Sequence, residues 1–323
     1  MAKYRLGNGI PSWNGVPMVG GFPEGLTDVF FVDYGSGSDG VSKKTNSTDR
    51  PFKTIDKAMD MVTTNKNEGI ALIGNSTHTL TEMLSVSKNR MHIFGYDPGG
   101  RYYGQNAKVS LGVTTAATDI GTIQNTGVRN SFRNMKVINE NTVAQGLYSF
   151  VEAGEYSVLD GCEIYKSTDL DVTGASELVM NGDSAMVRNC MIGSTANATT
   201  GAIIRANVLL TKGIVSGKVS RDVTFENCKF WRKSGHVNNR YFYGANATDV
   251  ERQFLIKDGL FFNTKLAAAV PAQCVAFAAE QTQGYVLIDN CTSINNTKLS
   301  TTTGVYIAGT VPTYATSGIA VAS

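Results

Sequence analysis

Charge is scarce in this sequence: Asp, Glu, Lys and Arg together make up 17% of 323 residues, against about a quarter in an average soluble domain. Long helices held by surface ion pairs and charge-rich disordered chains are both excluded by that figure, the latter also by a hydrophobic content of 42%. Proline is limited to 7 residues and histidine to 3. No run of about 18 apolar residues is present, so no transmembrane helix is expected. The five cysteines include no local Cys-x2–4-Cys pair of the kind that holds zinc. A net charge of +2 gives no basic footprint for nucleic acid. Residues 1–8 have no apolar core and no small-residue cleavage site, so synthesis without a signal peptide, in a reducing cytoplasm, is expected.

What the chain does have is 34 glycines and an excess of Asn, Thr and Ser around short apolar runs. Val29-Phe-Phe-Val, Ile70-Ala-Leu-Ile73, Met83-Leu-Ser-Val86 and Met91-His-Ile-Phe94 read as short strands between turn residues. A single amphipathic helix is expected over 50–63, with Asp49, Arg50 and Pro51 at its start and Phe52, Ile55, Ala58, Met59 and Val62 on one face. Residues 1–26 carry Pro, Gly and isolated large apolar side chains without periodicity. They are expected to form an extended arm, lying either on a partner or on the chain's own domain.

An internal repeat decides the fold class. Phe132-Arg-Asn-Met-Lys-Val137, Leu159-Asp-Gly-Cys-Glu-Ile164, Val187-Arg-Asn-Cys-Met-Ile192, Phe225-Glu-Asn-Cys-Lys-Phe230, Ile256-Lys-Asp-Gly-Leu-Phe261 and Ile288-Asp-Asn-Cys-Thr-Ser293 share one pattern. Their fourth positions, Met135, Cys162, Cys190, Cys228, Gly259 and Cys291, lie 27, 28, 38, 31 and 32 residues apart. Such spacing fits the turns of a solenoid with loops of variable length, each turn supplying at least two strands. The expectation is an all-β parallel β-helix whose main body spans 27–300, followed by a C-terminal β segment over 301–323 that caps the last coil or meets a neighbouring subunit. The four repeat cysteines are expected to stack as small buried hydrophobes, beside a turn-side ladder of Asn, Asp and Gly.

Phe31-Val-Asp33, Gly35-Ser-Gly-Ser-Asp-Gly40, Pro51-Phe-Lys-Thr-Ile55, Ala58 and Ile70-Ala-Leu-Ile73 resemble the opening of the right-handed parallel β-helix proteins of the pectin-lyase-like superfamily. That resemblance implies the fold and a capping helix. It leaves function open, because the superfamily holds polysaccharide lyases and hydrolases, phage tailspikes, adhesins and non-enzymatic virion proteins.

A glycoside hydrolase needs two carboxylates about 5 to 9 Å apart. Asp169 and Asp171, Asp183, and the repeat-phase Asp160 and Glu226 are the candidates. The first two read as a solvated loop, and Arg188 and Arg205 stand alone in sequence. His78, His92 and His236 lack metal-ligand spacing. Residues 231–243 read as a basic, aromatic loop suited either to surface contact or to packing its own aromatics on the helix side. No catalytic, cofactor-binding or metal-binding residue is therefore assigned. The expected function is a non-enzymatic virion structural protein, a capsid decoration or cement protein of a tailed bacteriophage. Its expected partners are the major capsid protein and further copies of itself, as a trimer. The alternative is a tailspike that binds or cleaves host polysaccharide. Neither cofactor, nucleic acid nor membrane insertion is expected.

Overall fold

The structure, a computed structural model, describes residues 12–13, 16–17, 26–74, 76–96, 106–112, 120–141, 146–167, 174–199, 204–264 and 270–308. Three parallel sheets of ten, eight and seven strands run along the body, and the chain visits them in rotation. One coil shows why. Val158–Asp160, Glu163–Lys166 and Ser176–Met180 turn apolar residues inward, among them Leu159, Ile164 and Leu178. In the next coil Val187, Ile192 and Val208 occupy the same three places, paired in parallel register. A strand buried on one face alternates with period two, and in-register stacking turns each inward position into a column. Phe132, Leu159, Val187, Phe225, Ile256 and Ile288 make up one such column.

The repeat pattern marks the corner between the first and second sheets. Its third position is left-handed in every copy: Asn134 (φ 51°), Gly161 (65°), Asn189 (53°), Asn227 (51°), Asp258 (53°) and Asn290 (48°). Asn and Gly tolerate this conformation best. The amide of Asn227 donates to Asn189 Oδ1 at 2.9 Å, and that of Asn189 to Asp160 Oδ1 at 2.9 Å, forming a turn-side ladder. The fourth position points inward. Cys162, Cys190, Cys228 and Cys291 are buried as free thiols, and Cys162 and Cys228 donate to the carbonyls of Phe132 and Val187, each at 3.4 Å. The Cys190 thiol, and then burial, push Cys162 well above the usual thiol range, and burial, with the Cys228 thiol, does the same to Cys190.

The helix is shorter than the sequence suggests, running Ile55–Met61 rather than over 50–63. Phe52 is drawn into a parallel bridge with Val32, and its N–H donates to Phe31 O at 2.9 Å, so Pro51 and Phe52 are extended rather than helical. Thr54 is the N-cap. Its side chain accepts the Lys57 N–H at 3.1 Å and is itself held by Asp39, which accepts from Thr54 Oγ1 at 2.9 Å. Ile55, Ala58 and Met59 close the N-terminal end of the core. At the other end Val305–Ala308 adds the last strand of the first sheet by pairing with Gln283–Asp289. The rest of the expected C-terminal segment, 309–323, lies outside the described residues. Most of the expected arm does too; within it Ser12–Trp13 pairs antiparallel with Val16–Pro17.

Candidate functional surface

Among the described residues the candidate carboxylates do not converge. Asp160 and Glu226 share one outward column of the first sheet with Arg188 between them. Two strand spacings separate them, about 10 Å, and Arg188 holds Asp160 at 3.0 Å in the place a sugar would need. Asp183 lies at the corner between the third and first sheets, where Arg221 binds it at 3.2 Å while also holding Glu251 at 2.6 Å. Asp169 and Asp171 lie outside the described residues. The arginines that stand alone in sequence are brought to acids by the fold: Arg188 to Asp160, and Arg205 to Glu177 at 3.4 Å.

The histidines stay apart. His78 is buried and bonds Ile73 O at 3.0 Å; burial lowers its pKa. Both ring nitrogens of His92 are engaged, by Ser131 Oγ and Asn67 Oδ1, each at 2.7 Å. Burial, assisted by the Arg133 charge, lowers His92 to about 4. His236 accepts the Asn238 N–H in a turn.

Residues 231–243 are two strands rather than a surface loop. Lys229–Ser234 and Asn239–Gly244 put Phe230, Tyr241 and Phe242 in the core, with the rings of Phe230 and Phe242 4.8 Å apart. Inward packing describes Tyr241 and Phe242, while Trp231 and Tyr243 of the same stretch stay partly exposed.

Two polar features escaped the sequence reading. The first is a buried network between the second and third sheets. Lys166, Glu177, Arg205 and Arg232 are each buried, and with Trp231 and Lys233 they line a cavity of about 10 Å3. That is room for one water and none for a sugar ring. Desolvation, followed by the Arg205 charge, lowers Lys166 to about 7. Its ammonium donates to Asn139 Oδ1 at 3.3 Å and to Gly146 O. The sequence signal is a charged residue two places after an inward apolar one, as in Ile164 and Lys166 or Phe230 and Arg232. The second is Glu152, fully buried where the third sheet turns toward the first. Burial raises it to about 7 although Asn125 and the Gly154 N–H donate to it.

A cleft of about 470 Å3 opens at the helix end, lined by Asp56, Met59, Asp60, Glu82, Met83 and Lys88 among others. Burial, and next the Glu82 charge, raises Asp56. Among the described residues no group of three His, Cys, Asp or Glu side chains is disposed to hold a metal. None of the helices is long and apolar enough to cross a membrane, among the same residues.

No protein-family model matches the sequence, and no curated protein matches it. Solved structures do match. A rhamnogalacturonan lyase superposes with a TM-score of 0.60 at 11% identity, covering 83% of this chain and 68% of its own. The pectate lyase Pel9A gives 0.55 at 14%, covering 90% and 79%. The pectin methylesterase PemA from Erwinia chrysanthemi gives 0.54 at 12%, covering 88% and 90%. At these identities the likeness is one of fold: this chain is a right-handed parallel β-helix, an architecture it shares with polysaccharide-acting enzymes.

Proposed function

We propose that this chain is a non-enzymatic structural protein of a virion, a capsid decoration protein of a tailed bacteriophage attached through residues 1–26. The observation that supports this reading is the state of its carboxylates. Asp160, Asp183 and Glu251 are each held by an arginine of a neighbouring coil, at 3.0, 3.2 and 2.6 Å. A carboxylate whose oxygens are taken up by a guanidinium is poorly placed to reach a substrate as a nucleophile. Glu152, a carboxyl poised near neutrality, is sealed in the core. Deleting residues 1–26 is expected to leave a folded protein that no longer co-sediments with capsids; normal occupancy of the truncated chain would refute attachment through the arm. Mass spectrometry of purified particles should count hundreds of copies, and a count in the few tens would instead favour a tail position.

The cleft at the helix end favours a second reading, a tailspike that binds or cleaves host polysaccharide. Its volume suits a small ligand, and Asp56 and Glu82 supply a carboxyl with a raised pKa beside a second acid. Saturable binding or product release on a panel of host surface glycans, lost in Asp56→Asn, is the result this reading requires.

A further inference from the structure

The outer face of the first sheet carries a pattern that the stacking of coils alone does not use up. One outward column reads Arg133, Asp160, Arg188, Glu226, Lys257 and Asp289, one residue per coil in parallel register. Charge alternates at every step, and all six side chains are partly exposed. Two residues back along the same strands lies a second column that begins at the buried Ser131 and continues through Val158, Met186, Thr224, Leu255 and Leu287, which are partly exposed. It ends at Tyr306, which is 59% exposed and lies edge-on to Tyr285, 42% exposed. A mostly apolar stripe therefore runs beside a neutral ladder of alternating sign.

We infer that this face is the interface between two copies of the chain packed antiparallel, about a twofold axis that lies in the interface along the strand direction. Such an axis keeps each column opposite its own counterpart and reverses the order of the coils. Six alternating charges read backwards become their own complement. Arg133 then faces the second copy's Asp289, Asp160 its Lys257, and Arg188 its Glu226, while the apolar stripe covers itself. A twofold axis along the solenoid preserves coil order and brings no such match. The threefold arrangement expected from the sequence sets different faces against each other and leaves this complementarity unused. Opposed signs along the whole ladder favour the antiparallel register and penalise the alternatives by like-charge contacts. The inference stands independently of the virion reading, since any role of the chain is compatible with a dimer.

Sedimentation equilibrium of the full chain at micromolar concentration tests it. The expected species is a dimer whose dissociation constant rises in molar salt, because the charged contacts are screened. Arg188→Glu sets like charges against the partner twice and should weaken the dimer roughly tenfold or more. The swap Arg188→Glu with Glu226→Arg restores opposite signs across the interface while placing like charges side by side within each sheet, so it should regain the dimer. If the ladder serves only the stacking of coils, the swap gains nothing. Circular dichroism melts confirm that each variant is folded, and Met186→Lys in the apolar stripe provides an independent disruption. A monomer, a trimer, or a swap that fails to recover association overturns the proposal. So does a chain that dimerises only after residues 1–26 are removed, because the arm would then be the occupant of this face.

Discussion

Glu152 is the most sensitive probe of how this core handles polarity. Its carboxylate accepts from Asn125 Nδ2 at 2.9 and 3.0 Å and from the Gly154 N–H at 2.8 Å, yet burial still raises it from 4.5 to about 7. Between those values the unfolded chain has lost the proton and the folded chain keeps it. Stability therefore falls as pH rises, by about 1.4 kcal/mol per unit, or roughly 3 kcal/mol over the window. His92 works the other way: lowered to about 4, it gives up its proton on folding and favours the native state as pH rises from 4 to 6.5. The wild-type profile is thus partly cancelled, and the difference from Glu152→Gln isolates the carboxyl. At pH 5 the variant should be less stable by about 1 kcal/mol, because its amide cannot accept all the donors Glu152 accepts. At pH 8 the variant should be the more stable by about 2 kcal/mol, so the two curves cross. Urea titrations monitored by circular dichroism from pH 4.5 to 8.5 give both curves. Parallel profiles without a crossing would show that Glu152 does not hold its proton in the fold.

Lys166, lowered to about 7, predicts a rise of stability with pH between 7 and 10.5, at about 1.4 kcal/mol per unit, which Lys166→Met should abolish in the same denaturation assay. All five cysteines are buried, and Cys274 and Cys291 are pushed up to about 12 and about 11, so a thiol reagent should label none in the native protein and five after unfolding. Phe225 meets Phe230, Phe242 and Phe254 at ring distances of 5.9, 5.1 and 5.5 Å, and Phe225→Ala should cost about 4 kcal/mol in chemical denaturation. At Asn189, left-handed at φ 53°, Asn189→Gly should cost less than Asn189→Val by about 1 to 2 kcal/mol, since only the branched side chain clashes there.

Legibility in the sequence followed repetition. The corner between the first and second sheets could be read because Asn and Cys recur there in successive coils, and the structure places both columns where the repeat implies. A second left-handed column at the corner between the third and first sheets could not. Arg90, Arg129, Tyr156, Ser184, Asp222 and Arg252 have φ between 48° and 62°, and such a mixture leaves no compositional trace. Their N–H groups are tied to the next coil, as Arg129 to Glu155 O at 2.7 Å and Tyr156 to Asp183 O at 2.9 Å, so pairing rather than residue preference imposes the conformation. The helix start was hidden for a similar reason. Thr54 becomes the cap because Asp39, fifteen residues earlier, holds it, while Phe52 is claimed by Val32. Strands that carry a polar residue inward, such as Lys136–Asn139 and Lys229–Ser234, interrupt the apolar pattern where the core is ionic or amide-lined. The site reading suffered most, because Arg188 meets Asp160, and Arg205 meets Glu177, only once the coils are stacked.

Parallel, in-register stacking also makes the length of this body countable. Each coil meets its neighbours through the same pairings, so duplicating one, such as the 28 residues 162–189, would extend the molecule by a single strand spacing of about 4.8 Å. The body is in that sense a ruler with one graduation per coil. An antiparallel partner would sense the added graduation: the duplicated coil repeats Arg188 in the charge ladder, and the ladder read backwards then sets that arginine against its own counterpart at the twofold axis.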